Sequence, residues 1–140
     1  MTEGALTAVE RERILDAFAA VPFARVLGIE LESVERGEAV VRLEIRDELR
    51  QNHGIIHGGV TASLIDTAAA FVIMTQLEEG QTTTTVDLTI HYLRPLVRGS
   101  ATARARIVRG GRRIIIAAVD VYDDAKILAA TALTTYIRLT

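Results

Sequence analysis

The middle of the chain, residues 58–77, is apolar on nearly every side when it is drawn as a helix. A surface helix keeps a polar face, so a helix of this kind has to be enclosed by other elements. A membrane span needs about 20 predominantly apolar residues. Here the stretch is interrupted by Thr61, Ser63, Asp66, Thr67, Thr75 and Gln76. The stretch therefore predicts one long helix buried at the centre of a globular fold.

Segments with strand patterns flank this helix on both sides. In residues 38–46, Val41, Leu43 and Ile45 alternate with charged residues, as in a sheet with one covered face. The other predicted strands are 29–35, a strand led into by threonines 82–85, and 100–108, 112–122 and 127–139. In the strand after the threonines, the residues expected on one face are Val86, Leu88, Ile90 and Tyr92.

Apolar residues at helical spacing predict a further helix near the N-terminus, at about residues 6–20, which Pro22 ends. The order is then helix, two strands, buried helix and four strands. An antiparallel sheet wrapped around one long central helix satisfies this order, which predicts an α+β fold. No linker or repeat divides the sequence, so residues 1–140 are expected to form a single domain.

Composition excludes several classes of function. The 140 residues carry a net charge of −2, whereas nucleic-acid binders usually have a basic excess. Since there is no cysteine, disulfides, thiolate nucleophiles and zinc–sulfur sites are excluded. His53 and His91 have no carboxylate at metal-ligand spacing, and no metal is expected. The first residues lack the apolar run of a signal peptide, so a cytoplasmic protein without membrane contact is expected.

Asp66 is the one charged residue in the long helix. Its helical neighbours three and four residues away are Ala62, Ser63, Ala69 and Ala70, which offer no cation. Burying an ionised carboxylate without a partner is very costly, so the group must be paired, neutralised or placed beside water or a ligand. Asp66 either reaches solvent or caps a neighbouring segment, or it belongs to a functional site. Its apolar surroundings and the motif before it favour the functional site.

That motif is His57-Gly58-Gly59, at the predicted start of the helix. A helix N-terminus has N–H groups without intrahelical partners and a partial positive charge. Glycines there let a substrate approach the backbone, which suits a carbonyl that develops negative charge. Taken alone, the glycine pair is better explained by a sharp turn, and the acid downstream is what favours a site.

The spacing between the glycine pair and Asp66 bears on the oligomeric state. Asp66 lies eight residues beyond Gly58, which is about 12 Å along a helix. One reacting carbonyl cannot touch both groups. A two-fold dimer that packs two such helices in opposite directions would align Gly58 of one chain with Asp66 of the other. A homodimer, or a homotetramer built from dimers, is therefore expected if both groups act on one bond.

Several motifs together resemble a known family. Residues 51–59 read QNHGIIHGG, residues 64–66 read LID, and TVD at 85–87 and YLRP at 92–95 follow, with Gly99 beyond. In these motifs, from about Phe23 onward, the chain resembles hotdog-fold acyl-CoA thioesterases of the phenylacetate-pathway (PaaI-like) type. The resemblance implies a hotdog fold and hydrolysis of an acyl-CoA to the free acid and coenzyme A, with no cofactor beyond the coenzyme A of the substrate.

The resemblance also implies roles for individual residues. Asp66 would be the general base or nucleophile, and the Gly58 amide would form the oxyanion hole. His57 would place the thioester carbonyl, while Gly59 shapes the turn. The further implied residues are Gln51 or its neighbour Asn52, which orients the reacting group or water, and Thr85, which holds the attacking water in some members.

Arginines near strand ends are candidates for the phosphates of coenzyme A, since a guanidinium suits phosphate oxygens. They are Arg94, Arg98, Arg109, Arg112 and Arg113. Two other functions stay open at this point, because a fold hosts many functions. One is a hotdog module that binds acyl-CoA without hydrolysing it. The other is an enoyl-CoA hydratase, although its usual Asp/His pairing is not evident.

Overall fold

A computed structural model of the chain describes residues 4–139, so residues 1–3 and 140 of the expected domain lie outside the described part. The helices are α1 (Ala8–Ala19), α2 (Pro22–Leu27) and α3 (Gly58–Met74), with a 3₁₀ turn at Asp47–Leu49. The strands are β1 (Glu30–Glu35), β2 (Glu38–Glu44), β3 (Thr82–Tyr92), β4 (Ser100–Gly110), β5 (Ile114–Tyr122) and β6 (Leu128–Leu139).

The strands form one antiparallel sheet of six, in the order β1-β2-β4-β5-β6-β3, and α3 packs against one face of it. The side chains of β4 that face the helix are small, namely Ala101, Ala103 and Ala105, and all are buried. Small side chains there let the helix approach the strands closely. This is the predicted hotdog arrangement, a sheet wrapped around one long helix.

The central helix is covered on one side only. The side chains that face the sheet are fully buried, namely Leu64, Ile65, Ala68, Ala69, Val72 and Ile73. The opposite stripe is half-buried within the chain and consists of Ala62, Ser63, Asp66, Thr67, Ala70 and Met74. The expectation that α3 is enclosed all round is therefore met by the chain itself only on the side facing the sheet.

Helix α1 begins with a capping box, in which the Thr7 hydroxyl accepts from the Glu10 N–H and the Glu10 carboxylate accepts from the Thr7 N–H. Its Ile14 side chain is fully buried, and Phe18 meets Phe71 of α3 edge-on with ring centroids 5.0 Å apart. These contacts dock α1 on the core.

Arg36, in the turn between β1 and β2, ties three segments together. Its guanidinium donates to the Glu10 carboxylate at 2.8 Å and to the Thr75 carbonyl at 2.9 Å, and also to the Gly4 and Ala5 carbonyls. The hydrogen bond from Arg36 is the main reason that the pKa of Glu10 falls from 4.5 to about 2.

The sequence prediction was incomplete around Pro22. Helix α1 does end before this proline, at Ala19, but Pro22 also begins the short helix α2. Proline suits the first position of a helix, because its missing N–H would have no intrahelical partner there. Gly28 then ends α2 with a φ of 77°, which a residue with a side chain rarely adopts.

Strand β3 departs from strict alternation at Val86. The register with β6 shifts between Thr85 and Asp87, which leaves Val86 as the extra residue of a β-bulge, with 59% of its surface exposed. Leu88 and Ile90 pack against the core as predicted. The expectation that Val86 shares their face was wrong, because the bulge gives the inward position to Thr85.

Strand β3 lies at the end of the sheet. Within residues 4–139 it pairs with β6 on one side, and its other edge has no strand beside it. No helix in this described range is long and apolar enough to cross a membrane.

Candidate active site

Asp66 lies half-buried at the middle of α3, on the stripe that the sheet does not cover. Its Oδ1 accepts hydrogen bonds from the Tyr136 hydroxyl at 2.6 Å and from the Thr85 hydroxyl at 3.1 Å. Tyr136 Oη also lies 3.0 Å from the backbone carbonyl oxygen of Asp66. Helix α3 offers no cation to this carboxylate, as its sequence predicted, and two strand hydroxyls take that place.

The register of the sheet brings these two hydroxyls together. Thr85 of β3 and Tyr136 of β6 are direct partners across the strands. Paired residues on adjacent strands point to the same face, so both reach the side on which α3 lies. Regular pairing on from Asp87 would put Val86 opposite Tyr136, so the bulge is what presents a hydroxyl to Asp66.

Tyr136 is the residue of this cluster that sequence reasoning missed. Its side chain is 3% exposed. Burial raises the pKa of the Tyr136 hydroxyl well above its usual value, and the hydrogen bond to Asp66 raises it further. The hydroxyl therefore keeps its proton and serves as a donor. A signal was present in β6, where a tyrosine follows inward-facing residues and its O–H needs a partner when buried.

Gly58 opens α3 at the other end of the site. His57 is the N-cap, and its Nδ1 accepts from the Gly59 N–H at 2.8 Å. A ring nitrogen that accepts carries no proton, so the neutral imidazole has its proton on Nε2. Within residues 4–139 no acceptor takes the Gly58 N–H, which is the arrangement that an incoming carbonyl oxygen requires.

A cavity of about 440 Å³ adjoins Gly58. Its lining is mostly apolar and consists of Gln51, Ile55, Ile56, Gly58, Thr61, Tyr92, Leu93, Arg94, Pro95, Leu96 and Ala129. The Tyr92 hydroxyl donates to the Gly58 carbonyl at 2.8 Å, which fixes the first turn of α3 against the end of β3. This contact was not predicted from the sequence either.

The structure distinguishes the two amide candidates. Gln51 lines the cavity, and its Oε1 accepts from the His53 N–H. Asn52 is exposed and does not line the cavity. Gly59 lies outside the lining too, with its N–H taken by His57.

Four of the five arginines named from the sequence separate into two groups, and Arg98 is exposed in the loop between β3 and β4. Arg94 lines the cavity beside Gly58, at the end of β3. Arg109, Arg112 and Arg113 are exposed near the turn between β4 and β5, and Arg112 lines a second cavity of about 200 Å³ there, with Arg138. Of the predicted phosphate contacts, Arg94 is the one placed beside Gly58.

The site residues form two clusters, one at the start of α3 and one at its middle. Gly58, Gln51 and Arg94 border the cavity at the start of α3, while Asp66 meets Thr85 and Tyr136 further along. Asp66 does not line the cavity. The described residues contain no group of three or more His, Cys, Asp or Glu side chains that could hold a metal, and His53 and His91 are both exposed.

Comparisons with known proteins agree with this fold and these motifs. The family described as the thioesterase superfamily matches residues 53–130. The medium/long-chain acyl-CoA thioesterase YigI of Salmonella typhimurium is 31% identical over 131 residues, which cover 83% of this chain and 84% of that protein.

Solved structures with this fold include two PaaI proteins. The Escherichia coli PaaI protein from the phenylacetic acid degradation operon superposes with a TM-score of 0.87 at 24% identity, covering 94% of each chain. A variant of PaaI, a phenylacetic acid degradation protein from Thermus thermophilus, is 33% identical with a TM-score of 0.79, covering 85% of this chain and 100% of that chain. The family match spans more than half of the chain, and the reported structures share the fold over 85% and 94% of it, so this protein belongs to the thioesterase superfamily and is a hotdog-fold thioester hydrolase.

Proposed function

We propose that the protein hydrolyses acyl-CoA thioesters as a homodimer, or as a tetramer of such dimers. In this proposal, Asp66 of one subunit acts on a carbonyl that the Gly58 amide of the other subunit binds. The observation that carries the proposal is the pairing of two features on one helix. They are an N–H without an acceptor at its start and a carboxylate held by two hydroxyls at its middle.

The chemistry needs few groups. The thioester oxygen accepts from the Gly58 N–H, which stabilises the negative charge that forms as the carbonyl is attacked. Asp66 either takes a proton from water, whose oxygen then bonds to the carbonyl carbon, or attacks that carbon itself and forms an anhydride that water cleaves. In both routes the carbon–sulfur bond breaks, and coenzyme A leaves as a thiolate, a good leaving group.

The remaining residues have supporting roles in the proposal. Gln51 orients the reacting group from the cavity wall, with Asn52 beside it in the same loop. His57 and Gly59 hold the turn that presents the Gly58 amide, and the Nε2 proton of His57 is free to face the thioester. Thr85 steadies the carboxylate and the water, and Arg94 contacts the coenzyme A moiety at the cavity rim.

Two features support a dimer. The first is the open edge of β3, since an unpaired edge eleven residues long is a ready template for a second strand. The second is the half-buried stripe of α3, whose residues are small. Its hydroxyls bond back to their own helix, Ser63 to the Gly59 carbonyl at 2.8 Å and Thr67 to the Ser63 carbonyl at 2.7 Å. A second helix can therefore pack closely here without burying an unpaired hydroxyl.

We also propose that the chain forms one domain. A continuous cluster of buried apolar residues includes members from α1, α2, α3 and the sheet strands β1, β2, β4, β5 and β6. Each domain has its own core, and here one core joins helices and sheet.

The experiment is a thiol-release assay with a panel of acyl-CoAs of increasing chain length. We expect the wild type to hydrolyse at least one of them, and Asp66→Asn and Asp66→Ala to lose about a hundredfold or more in turnover, since each removes the base or nucleophile. The matched control is Asp16→Asn, which removes an exposed carboxylate on α1 and should keep full activity.

Two outcomes contradict the proposal. Unchanged turnover in both Asp66 variants would show that another group performs the attack. Saturable binding of acyl-CoA by the wild type, with no thiol released, would identify a binding module instead of an enzyme.

A further inference from the structure

We propose that Tyr136 is a positioning residue that sets the orientation of the Asp66 carboxylate. The inference rests on the proposed function of Asp66 and adds a residue that neither the sequence motifs nor the family match includes, since the match ends at residue 130.

The Tyr136 hydroxyl lies close to both the side chain and the backbone of Asp66. The Tyr136 Oη–Asp66 Oδ1 distance of 2.6 Å lies in the range of a hydrogen bond to a charged acceptor. The same oxygen of Tyr136 lies 3.0 Å from the Asp66 backbone carbonyl, so one hydroxyl contacts both the side chain and the main chain of Asp66. With Thr85 also donating to Oδ1, that oxygen is occupied twice.

The other carboxylate oxygen is left for chemistry. Within residues 4–139, Oδ2 of Asp66 has no hydrogen-bond partner. Holding Oδ1 against β3 and β6 therefore directs Oδ2 away from the sheet. In the dimer proposed above, Oδ2 is therefore the oxygen left for the reaction.

Tyr136 and Thr85 also supply hydrogen bonds that the carboxylate would otherwise take from water. The helical neighbours Ala62, Ser63, Ala69 and Ala70 carry no charge, so among the described residues the two strand hydroxyls are the side chains that hydrogen-bond to Asp66. When a second subunit excludes water from this stripe, these two hydrogen bonds keep the carboxylate in its orientation.

The test is Tyr136→Phe, which keeps the buried ring and removes only the hydroxyl. We expect kcat to fall about ten- to a hundredfold, since a hydrogen bond to a charged group is lost, while KM stays within about threefold. Thr85→Val removes the other donor to Oδ1 and should likewise lower kcat while leaving KM nearly unchanged.

The matched control is Thr134→Val on the same strand. Thr134 is fully buried and donates to the Asp87 carbonyl at 2.7 Å, so this variant also removes a buried hydroxyl from β6 without touching Asp66. It should keep the kcat of the wild type, whatever it does to the melting temperature.

A spectroscopic measurement separates this inference from the proposed function. The ¹³C resonance of the Asp66 side-chain carboxyl, recorded at one fixed pH, should change in Tyr136→Phe, which removes a hydrogen bond to that group, and stay in place in Thr134→Val. This readout needs no activity, so it applies even if Asp66→Asn is active. An unmoved resonance together with an unchanged kcat in Tyr136→Phe would overturn the role of Tyr136 while leaving that of Asp66 intact.

Discussion

At the scale of single residues, Gly58 matters for the group that its backbone leaves free. A Cβ added at this position would meet the Tyr92 ring at 3.5 Å, an ordinary contact, so the glycine is not required by crowding within the chain. His57 before it has φ −65° and ψ 134°, a conformation that a following proline accepts. Proline is also well suited to the first position of a helix. A proline can therefore remove the N–H at position 58 while the backbone keeps its conformation.

Gly58→Pro uses this to remove the proposed oxyanion donor alone. We expect turnover to fall about 10²–10³-fold, the usual cost of losing one such donor, with the melting temperature close to that of the wild type. Gly58→Ala is the control, because it adds a Cβ and keeps the N–H. Equal losses in the two variants would mean that bulk, and not the missing N–H, lowers the rate.

Sequence reasoning singled out Asp66 and Gly58 as candidates because the signals that mark them are local. An acid in an apolar helix and a glycine pair at a helix start are visible within ten residues. Tyr136 lies 70 residues from Asp66, and its contact depends on the register between β3 and β6. Thr85 was carried by the family resemblance, but its inward direction depends on the bulge at Val86, which no local pattern announces.

At the scale of elements, the helices of the N-terminal region are attached by a few specific contacts. Helix α1 inserts one fully buried side chain, Ile14, and is held at its start by the capping box and Arg36. The strands and the central helix followed from hydrophobic periodicity, and their bounds differ from the expected ones by a few residues. Helix α2 was missed because six residues are too few to show a helical period.

Ile14→Ala measures how strongly α1 is docked. We expect a loss of about 2–5 kcal/mol in the free energy of unfolding, because a fully buried aliphatic side chain leaves a cavity. Denaturant unfolding monitored by circular dichroism gives the value. Val9→Ala on the same helix is the control, since Val9 is 72% exposed and its truncation should cost less than about 0.5 kcal/mol. A similar small loss in both would mean that α1 adds little to stability.

The contact of Glu10 with Arg36 makes stability depend on acidity. The pKa of Glu10 is lowered from 4.5 to about 2, mainly by the hydrogen bond from Arg36. Between these two pH values the folded state therefore binds fewer protons than the unfolded state. This contribution is complete above pH 4.5 and is lost as the pH falls towards 2. The difference in melting temperature between wild type and Glu10→Gln should shrink over that window. Glu12→Gln, at an exposed neighbour, should show no such trend, and a constant difference for Glu10→Gln would contradict the assignment.

At the scale of the whole molecule, the division of the site between two chains can be tested by mixing. A dimer of Asp66→Asn with Gly58→Pro would have one site with both lesions and one intact site. Each variant alone should be inactive. After joint unfolding and refolding in equal amounts, about a quarter of wild-type activity should return, since half of the dimers are mixed and each has one working site.

Activity that stays at the level of the separate variants would contradict a shared site. Refolding Asp66→Asn with itself gives the control for recovery of folded protein. Sedimentation of the wild type at micromolar concentration should show a dimer or tetramer, and a fully active monomer would rule out this geometry.

The four threonines that begin β3 have a consequence for how the chain can change in length. If Thr85 were deleted, Thr84 would follow the bulge and come to lie opposite Tyr136, with another hydroxyl for the carboxylate. If Val86 were deleted instead, Thr85 would keep its place and the strand would merely become regular. Elsewhere in a sheet, an insertion or deletion of one residue exchanges the two faces of the strand. Here the run of threonines would still place a hydroxyl opposite Tyr136.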